Sequence, residues 1–319
     1  MSIYSAAASA VPAEFRAGLE TQYGGLARSW VDGLPELLES VCRNWSLVLV
    51  DVVPRHGYLS VVWQVKQPGQ SYALKLTVPS ESFRLETAAL RAWDGRAMVR
   101  LVEHEVERGA ALLQWLDPST SLEDVPLDLA VAVAGQMLTV VPKIDGRAAA
   151  GFSDARVEVE QSRKTWPHRN ASLGSPFSAA MLHAAEAAVM STKNPLAAEQ
   201  PTLVNHDLHY ANVIRDWNGN WVCVDPKPLI GPPEYGLAPL IWRRYSGPGD
   251  SLDRVKRLCD IAGLDQELAL NWLLVRTVDY ALWALEAGLT TDPANCRELV
   301  DRMTGDGDQV GRGEMGSYR

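Results

Sequence analysis

From Ser46 to Leu116 the sequence alternates apolar and polar residues in short runs, and beyond Leu116 helical spacing takes over. This change of texture limits the fold more than any other feature. Period-two runs form half-buried strands, whereas recurrences at three and four residues form amphipathic helices. "SLVLVDVV" (46–53) reads as a strand and "PRHGY" (54–58) as a turn. "LSVVWQV" and "SYALKLTV" read as a hairpin around Pro68-Gly69. "ESFRLETAALRAWDG" (81–95) spaces Phe83, Leu85, Ala89, Leu90 and Trp93 along one helical stripe that stops at Gly95. "AMVRLVEHEVERGAALLQWL" adds two strands around Glu107-Arg108-Gly109. The region thus predicts a sheet of about five strands with one long helix inserted after the third.

The flanks are helical. Residues 13–44 read as helices broken near Gly24-Gly25 and Pro35, after a frayed start that enters a helix beyond Val11-Pro12. That start has no basic segment followed by an apolar one, so no signal peptide is read. "LDLAVAVAGQMLTVV" and "FSAAMLHAAEAAVMS" are apolar-periodic, 150–175 is polar and irregular, and 254–288 gives two or three helices. The expected class is α+β in two lobes. Residues 1–116 form the sheet-bearing lobe, 117–303 a larger and mainly helical lobe, and the Gly-rich 304–319 a disordered tail. A cleft between two such lobes is where ligands usually bind.

Composition excludes some functions. No apolar run approaches the ~20 residues of a membrane span. A formal charge of −9 argues against nucleic acid, which wants a basic face, and is compatible with a cationic small molecule. Cys42, Cys223, Cys259 and Cys296 show no metal-ligand spacing and read as buried reduced thiols of a cytoplasmic protein.

The chemistry concentrates in "NHDLHYANVIRDWNGNWVCVDPKP" (205–228). Asn218-Gly219 is a hairpin signal, and "WVCVD" reads as a strand that returns Asp225 towards Asn212. Phosphoryl transfer needs such a set. Asp207 would orient an attacking hydroxyl and take its proton, while Asn212 and Asp225 would hold Mg²⁺ against the triphosphate of ATP. A polar loop with Asp and Asn capping turns is the alternative. His206 and His209 lack a third ligand at useful spacing, which disfavours a zinc site. Upstream, Lys75 stands in mid-strand between Leu74 and Leu76, and Glu86 in the following helix is its natural partner. That pair suits a cation on the phosphates and the acid that orients it. Gly57 lies in the turn that would cover the phosphates, though a plain β-turn reads as well. Gln114, Trp115 and Leu116 would offer backbone groups to a purine.

These residues resemble the kinase-like aminoglycoside phosphotransferases, nearest the streptomycin 6-kinase and hydroxyurea phosphotransferase group. The resemblance is carried by residues 73–122 and by "VDPKPLIGPPEYGLAPLIW" (224–242), with "VPAEFR" (11–16) and "AGLDQELALNWLLVRTVDYALWALEAG" (262–288) adding to it. It implies a two-lobed protein-kinase-like fold, ATP with Mg²⁺, and O-phosphorylation of a small antibiotic that inactivates it. It also implies Asp207 as base, Asn212 and Asp225 as metal ligands, and Lys75 with Glu86 at the phosphates. A kinase of another metabolite, and a nucleotide-binding pseudokinase, are the alternatives. Two departures stand out. Asn205-His206 replaces the family's usual His-Gly, which should reshape the loop or narrow the acceptor site. "GPPEYGLAP" replaces "GDPAYDLAP", so Pro232 and Gly236 stand where acids normally support the catalytic loop. Asp279 and Glu286, on one helix face near Tyr280 and Trp283, are expected with His206 to line the acceptor pocket.

Overall fold

The computed structural model describes residues 2–192 and 201–305, so all but the first two residues of the expected tail lie outside the described residues. The chain divides into two compact units, Met1–Ser119 with Ile214–Asp225, and Thr120–Val213 with Pro226–Arg319. The first unit therefore includes a segment from far along the chain as well as the N-terminal stretch.

Four helices open the first unit: α1 (Ile3–Ser9), α2 (Ala13–Tyr23), α3 (Gly25–Asp32) and α4 (Leu34–Asn44). The expected frayed start is thus a short helix. Ser2 caps it by accepting from Ser5 N at 3.1 Å, and Ala7 and Ala8 are buried. The sheet comprises β1 (Val48–Leu49), β2 (Arg55–His56), β3 (Ser60–Gln67), β4 (Gln70–Thr77), β5 (Leu101–Glu105) and β6 (Ala110–Gln114). Its order is β1-β3-β4-β6-β5, with β2 also on β3. The expected strand over 46–53 shrinks to two residues because Asp51 Oδ1 accepts from Val53 N at 3.0 Å and turns the chain. Helix α5 (Glu81–Trp93) follows β4 and is capped by Ser80, which accepts from Phe83 N.

Alternation sorts the sheet into two faces. Val61, Trp63, Val65, Leu74, Leu76 and Leu112 join Phe15, Leu19, Leu34, Leu38 and Val41 in one buried cluster, so the N-terminal helices cover that face. Each such side chain contributes roughly 1.5–3 kcal/mol of transfer free energy. β4 is central, flanked by β3 and β6, and is buried from Tyr72 to Thr77 on both faces. Lys75 lies in that stretch, opposite Val62 and Ala111 and on the face away from Leu74 and Leu76.

The second unit is mainly helical, with Leu127–Leu138, Ala155–Arg163, Trp166–Ser172, Ala179–Ser191, Pro248–Ala262, Gln266–Glu286 and Thr291–Thr304 as its principal helices. Trp166, Phe177, Met181, Trp272, Val275, Val278 and Leu282 build its core. The segment 150–175, expected to be irregular, carries two short helices. Their apolar anchors are sparse, chiefly Val159 and Trp166, so no stripe is visible in sequence. Buried Asn170 closes the following turn by bonding Phe177 N and O, each at 3.0 Å. All four cysteines are buried and unbridged. No described helix is long and apolar enough to cross a membrane.

The tightest backbone approach in the first unit is at Gly109, where β6 begins. Its φ is +65°, its carbonyl accepts from Thr77 N at 2.9 Å, and a Cβ there would lie 2.0 Å from Thr77 O. Neither the conformation nor the space admits a side chain. Gly109→Ala should lower the unfolding free energy by at least about 2 kcal/mol in urea denaturation. A loss below about 0.5 kcal/mol, the range of an ordinary surface change, would contradict the register described for β4 and β6.

Candidate active site

Two groups of polar side chains stand out, one in each unit. In the first, Lys75 Nζ donates to Glu86 Oε1 at 2.6 Å and to Asp225 Oδ1 at 2.7 Å. The lysine side chain is 7% exposed, Glu86 13% and Asp225 52%, so the ammonium is enclosed while one carboxylate faces solvent. Burial alone would favour the neutral amine. The two carboxylates outweigh it, raising the pKa and keeping Lys75 charged. Helix α5 aims Glu86 inward because Phe83 and Leu90, at i−3 and i+4, bury the same face.

Asp225 arrives from a hairpin. Asp216 accepts from Asn218 N at 2.9 Å, Asn220 N at 2.8 Å and Asn220 Nδ2 at 2.9 Å, closing the turn at Asn218-Gly219. Strand Trp221–Cys223 follows and stops short of the expected end at Asp225. Asp225 itself has φ +52°, the left-handed region that Asp tolerates better than most residues. A non-glycine residue held there just before a proline stores local strain, a feature that clusters at functional sites.

In the second unit, a short antiparallel ladder pairs Leu203–Asn205 with Pro228–Ile230, placing Asn205 opposite Pro228. The Asn205 side-chain oxygen accepts from both Asp207 N and Lys227 N, each at 3.0 Å. His206 N donates to Lys227 O at 3.0 Å, and Lys227 Nζ donates to Asp207 Oδ2 at 2.6 Å. Asn212 ends a 3₁₀ turn, its N–H bonded to His209 O at 3.0 Å. Arg276, on the helix Gln266–Glu286, donates to Tyr235 O at 2.8 Å and to His206 O at 2.9 Å. Its guanidinium lies 4.5 Å from the Tyr235 ring centre and 5.2 Å from that of Trp242. Burial lowers its pKa, and the aromatic faces and carbonyls compensate the desolvated charge.

Gly236 explains one departure from the family pattern. A Cβ there would lie 3.0 Å from Asn205 O, so a side chain at 236 requires the loop to give by a few tenths of an ångström. Arg276 and the Asn205 amide hold the loop instead.

The remaining expected residues separate. Gly57 donates to Ser60 O at 3.0 Å, but its φ is not positive and an added Cβ would meet nothing closer than 3.7 Å. Gln114 pairs with Tyr72, so its side chain faces away from Lys75 and lines a cavity of about 470 Å³ with Gln70, Arg100 and Trp221. Trp115 is half-buried and Leu116 buried. The acid pair has a partner that the sequence does not show. Asp279 accepts from Arg169 Nη1 at 2.9 Å, from Trp166 Nε1 at 3.1 Å and from Ser162 Oγ. Glu286 takes both Arg169 Nε and Nη2, at 2.7 and 2.9 Å. Both share a helix face, and one arginine engages them while each side chain stays 41% exposed. Lys227, Arg169 and Arg276 escaped the sequence reading. Two could have been flagged: Arg276 interrupts the apolar run "LNWLLVRTVDYALWAL", and Lys227 is fixed between Pro226 and Pro228.

Residues 44–288 match the family described as aminoglycoside/hydroxyurea antibiotic resistance kinase. The chain belongs to that family. It is a phosphotransferase, and its four N-terminal helices up to Arg43 lie before the matched region. A streptomycin 6-kinase of Streptomyces griseus is 34% identical to this kinase, over 84% of the chain and 88% of the relative. A hydroxyurea phosphotransferase of Kitasatospora aureofaciens is 32% identical, over 87% and 81%. Among solved structures, a thermostable mutant of an aminoglycoside phosphotransferase in ternary complex with ADP and hygromycin B superposes with a TM-score of 0.60. That pair is 14% identical, covering 88% of this chain and 99% of the other, and shows the kinase-like fold.

His206 gives this kinase a pH signature. Burial first, and then the Arg276 charge, push its pKa down to about 3, so the ring is neutral at physiological pH. The unfolded residue titrates near 6.5. The stability gained from the neutral ring is therefore complete above about pH 6.5 and is lost as pH falls towards about 3. NMR should find no charge change at His206 between about pH 5 and 8. His206→Gln should lose less stability on acidification than the parent does. A ring that titrates near 6.5 would overturn this placement beside Arg276.

Proposed function

We propose that this kinase transfers the γ-phosphoryl group of ATP to a hydroxyl of a streptomycin-type aminoglycoside and inactivates it. The buried, charged Lys75 held by Glu86 and Asp225 is the observation that carries this reading. A cation so fixed loses little freedom when it meets phosphate oxygens. Lys75 would contact the nucleotide's phosphates and Glu86 would hold it there. Asp207 would accept the proton of the acceptor hydroxyl. Asn212 and Asp225 would hold magnesium: both offer hard oxygen donors, and the Asp225 carboxylate is half-exposed at a strained backbone position. When bound, the metal neutralises charge on the phosphate oxygens.

The acceptor class rests on the relatives and on charge. The net charge of −9 draws a polycationic sugar to the protein. Asp279 and Glu286, shared with Arg169 but still 41% exposed, would offer the acceptor's cations partly neutralised carboxylates. The half-exposed Trp283, in ring contact with Tyr280, which stacks on Trp242, offers a flat apolar surface beside them.

Asp207→Ala should lower kcat by roughly 10²–10⁴-fold, the worth of a positioned base, while ATP binding by calorimetry stays unchanged. Full activity in that variant would remove Asp207 from the mechanism. An ATP-consumption screen over streptomycin, other aminoglycosides, amino sugars and hydroxyurea, with product mass measured, tests the acceptor. Nucleotide binding without turnover on any of them would overturn the kinase assignment of the site residues.

A further inference from the structure

Lys227 has no role in the reading above, yet its placement is among the most constrained in the second unit. Pro226 and Pro228 flank it and limit its backbone, the ladder with Leu203–Asn205 fixes its register, and its N–H and C=O bond Asn205 Oδ1 and His206 N. Its ammonium lies 2.6 Å from Asp207 Oδ2. The lysine side chain is 58% exposed and that of Asp207 28%, so the pair opens to solvent instead of closing a core contact. An exposed ion pair contributes little to stability, about 0–1 kcal/mol. The backbone bonds tie the loop to its strand whatever side chain stands at 227, so what folding leaves unexplained is the exposed ammonium held 2.6 Å from Asp207.

We propose that Lys227 is a second catalytic residue, whose charge is balanced by Asp207 before reaction and by the transferring phosphoryl group during it. The inference rests on Asp207 being the base. In the step, the acceptor oxygen bonds to the γ-phosphorus and its proton passes to the Asp207 carboxylate. The bond from γ-phosphorus to the bridging oxygen breaks, and its electron pair leaves with ADP. Lys227 keeps its proton throughout. As Asp207 becomes neutral, the ammonium loses its partner at the moment when negative charge is shared over the transferred oxygens nearby. Its attraction is therefore stronger in the transition state than in the ground state, which is the condition for raising kcat and not merely tightening binding. Before reaction the same contact holds the lysine beside Asp207 without committing it to bound nucleotide.

The test uses the full-length protein with ATP and streptomycin. Lys227→Met should lower kcat about 10²-fold, the typical loss for one transition-state donor, with KM for ATP and streptomycin changed less than about threefold. Lys227→Arg should recover most of the loss. In Lys227→Ala, added ethylammonium should restore rate in proportion to its concentration, because the position is exposed, whereas neutral propanol should not. Thermal midpoints of the three variants should match the parent. A Lys227→Met enzyme with parental kcat, or a loss found in KM alone, or one that neither arginine nor ethylammonium relieves, would overturn the proposal. If Asp207→Ala is inactive while Lys227→Met is unaffected, this inference falls and Asp207 keeps its role. If Asp207→Ala is fully active, the reading beneath both falls.

Discussion

A charged lysine in the centre of a sheet is tolerated only if opposite charge reaches it, because an unpaired buried ammonium is far costlier than any hydrogen bond it could forgo. Lys75 imposes that condition on the whole first unit. It fixes β4 as the strand that must be approached, α5 as the helix that must bring Glu86 on the face of Phe83 and Leu90, and the hairpin that must end at Asp225. Removing one acid would leave the ammonium a single carboxylate, and removing both would leave a charge uncompensated where water cannot easily reach. The sheet's other face has no such demand, and the N-terminal helices cover it with plain apolar packing. The charged cluster thus stands on the α5 side of the sheet, amid the buried Phe83 and Leu90 of that helix, while the opposite face is wholly apolar packing.

The second unit solves a different problem, that of holding a carboxylate at a loop without burying it. One amide oxygen, Asn205 Oδ1, accepts from the N–H groups of both Asp207 and Lys227 and so ties the loop to the strand beside it. Arg276 fixes the intervening His206 carbonyl from a long helix, whose rigidity comes from the buried Trp272, Val275 and Val278. Asp207 therefore keeps its carboxylate for other partners while its backbone is fixed. Pre-organisation of this kind lets a base act without first paying the entropy of ordering its own loop.

Much of this was legible in the sequence, and the divisions fall where physics places them. Period-two runs located the central strands, and the Asn-Gly and Pro-Gly turns located the hairpins, because those signals are local. Lys75 and Glu86 were legible because a mid-strand lysine is anomalous by itself. The two short helices between 150 and 175 were not, since their buried anchors are too few to print a period. Arg169 was missed for a related reason. Spacing shows that Asp279 and Glu286 share a face of one helix, but says nothing of which side chain another helix sets against them. The same limit hid Lys227, whose partner Asp207 is brought to it by a ladder that only pairing reveals. Asp225's left-handed backbone was likewise invisible, because a residue before proline is expected in an extended conformation.

The departures from the family pattern are coupled and not independent losses. An acid at position 236 would need room for a Cβ only 3.0 Å from Asn205 O, so glycine there and a closely packed loop go together. With glycine there, no side chain from the turn reaches the loop's N–H groups, and those donors need another acceptor. The side chain of Asn205 supplies it from within the loop itself. The adjoining carbonyl of His206 then points to the helix, where a donor is required, and Arg276 meets it. A histidine in place of glycine is compatible with this arrangement because its ring lies 6.3 Å from Tyr235, whose own carbonyl Arg276 also binds. Restoring the acid at 236 alone would therefore press on the loop, since its Cβ would lie 3.0 Å from the chain it would support.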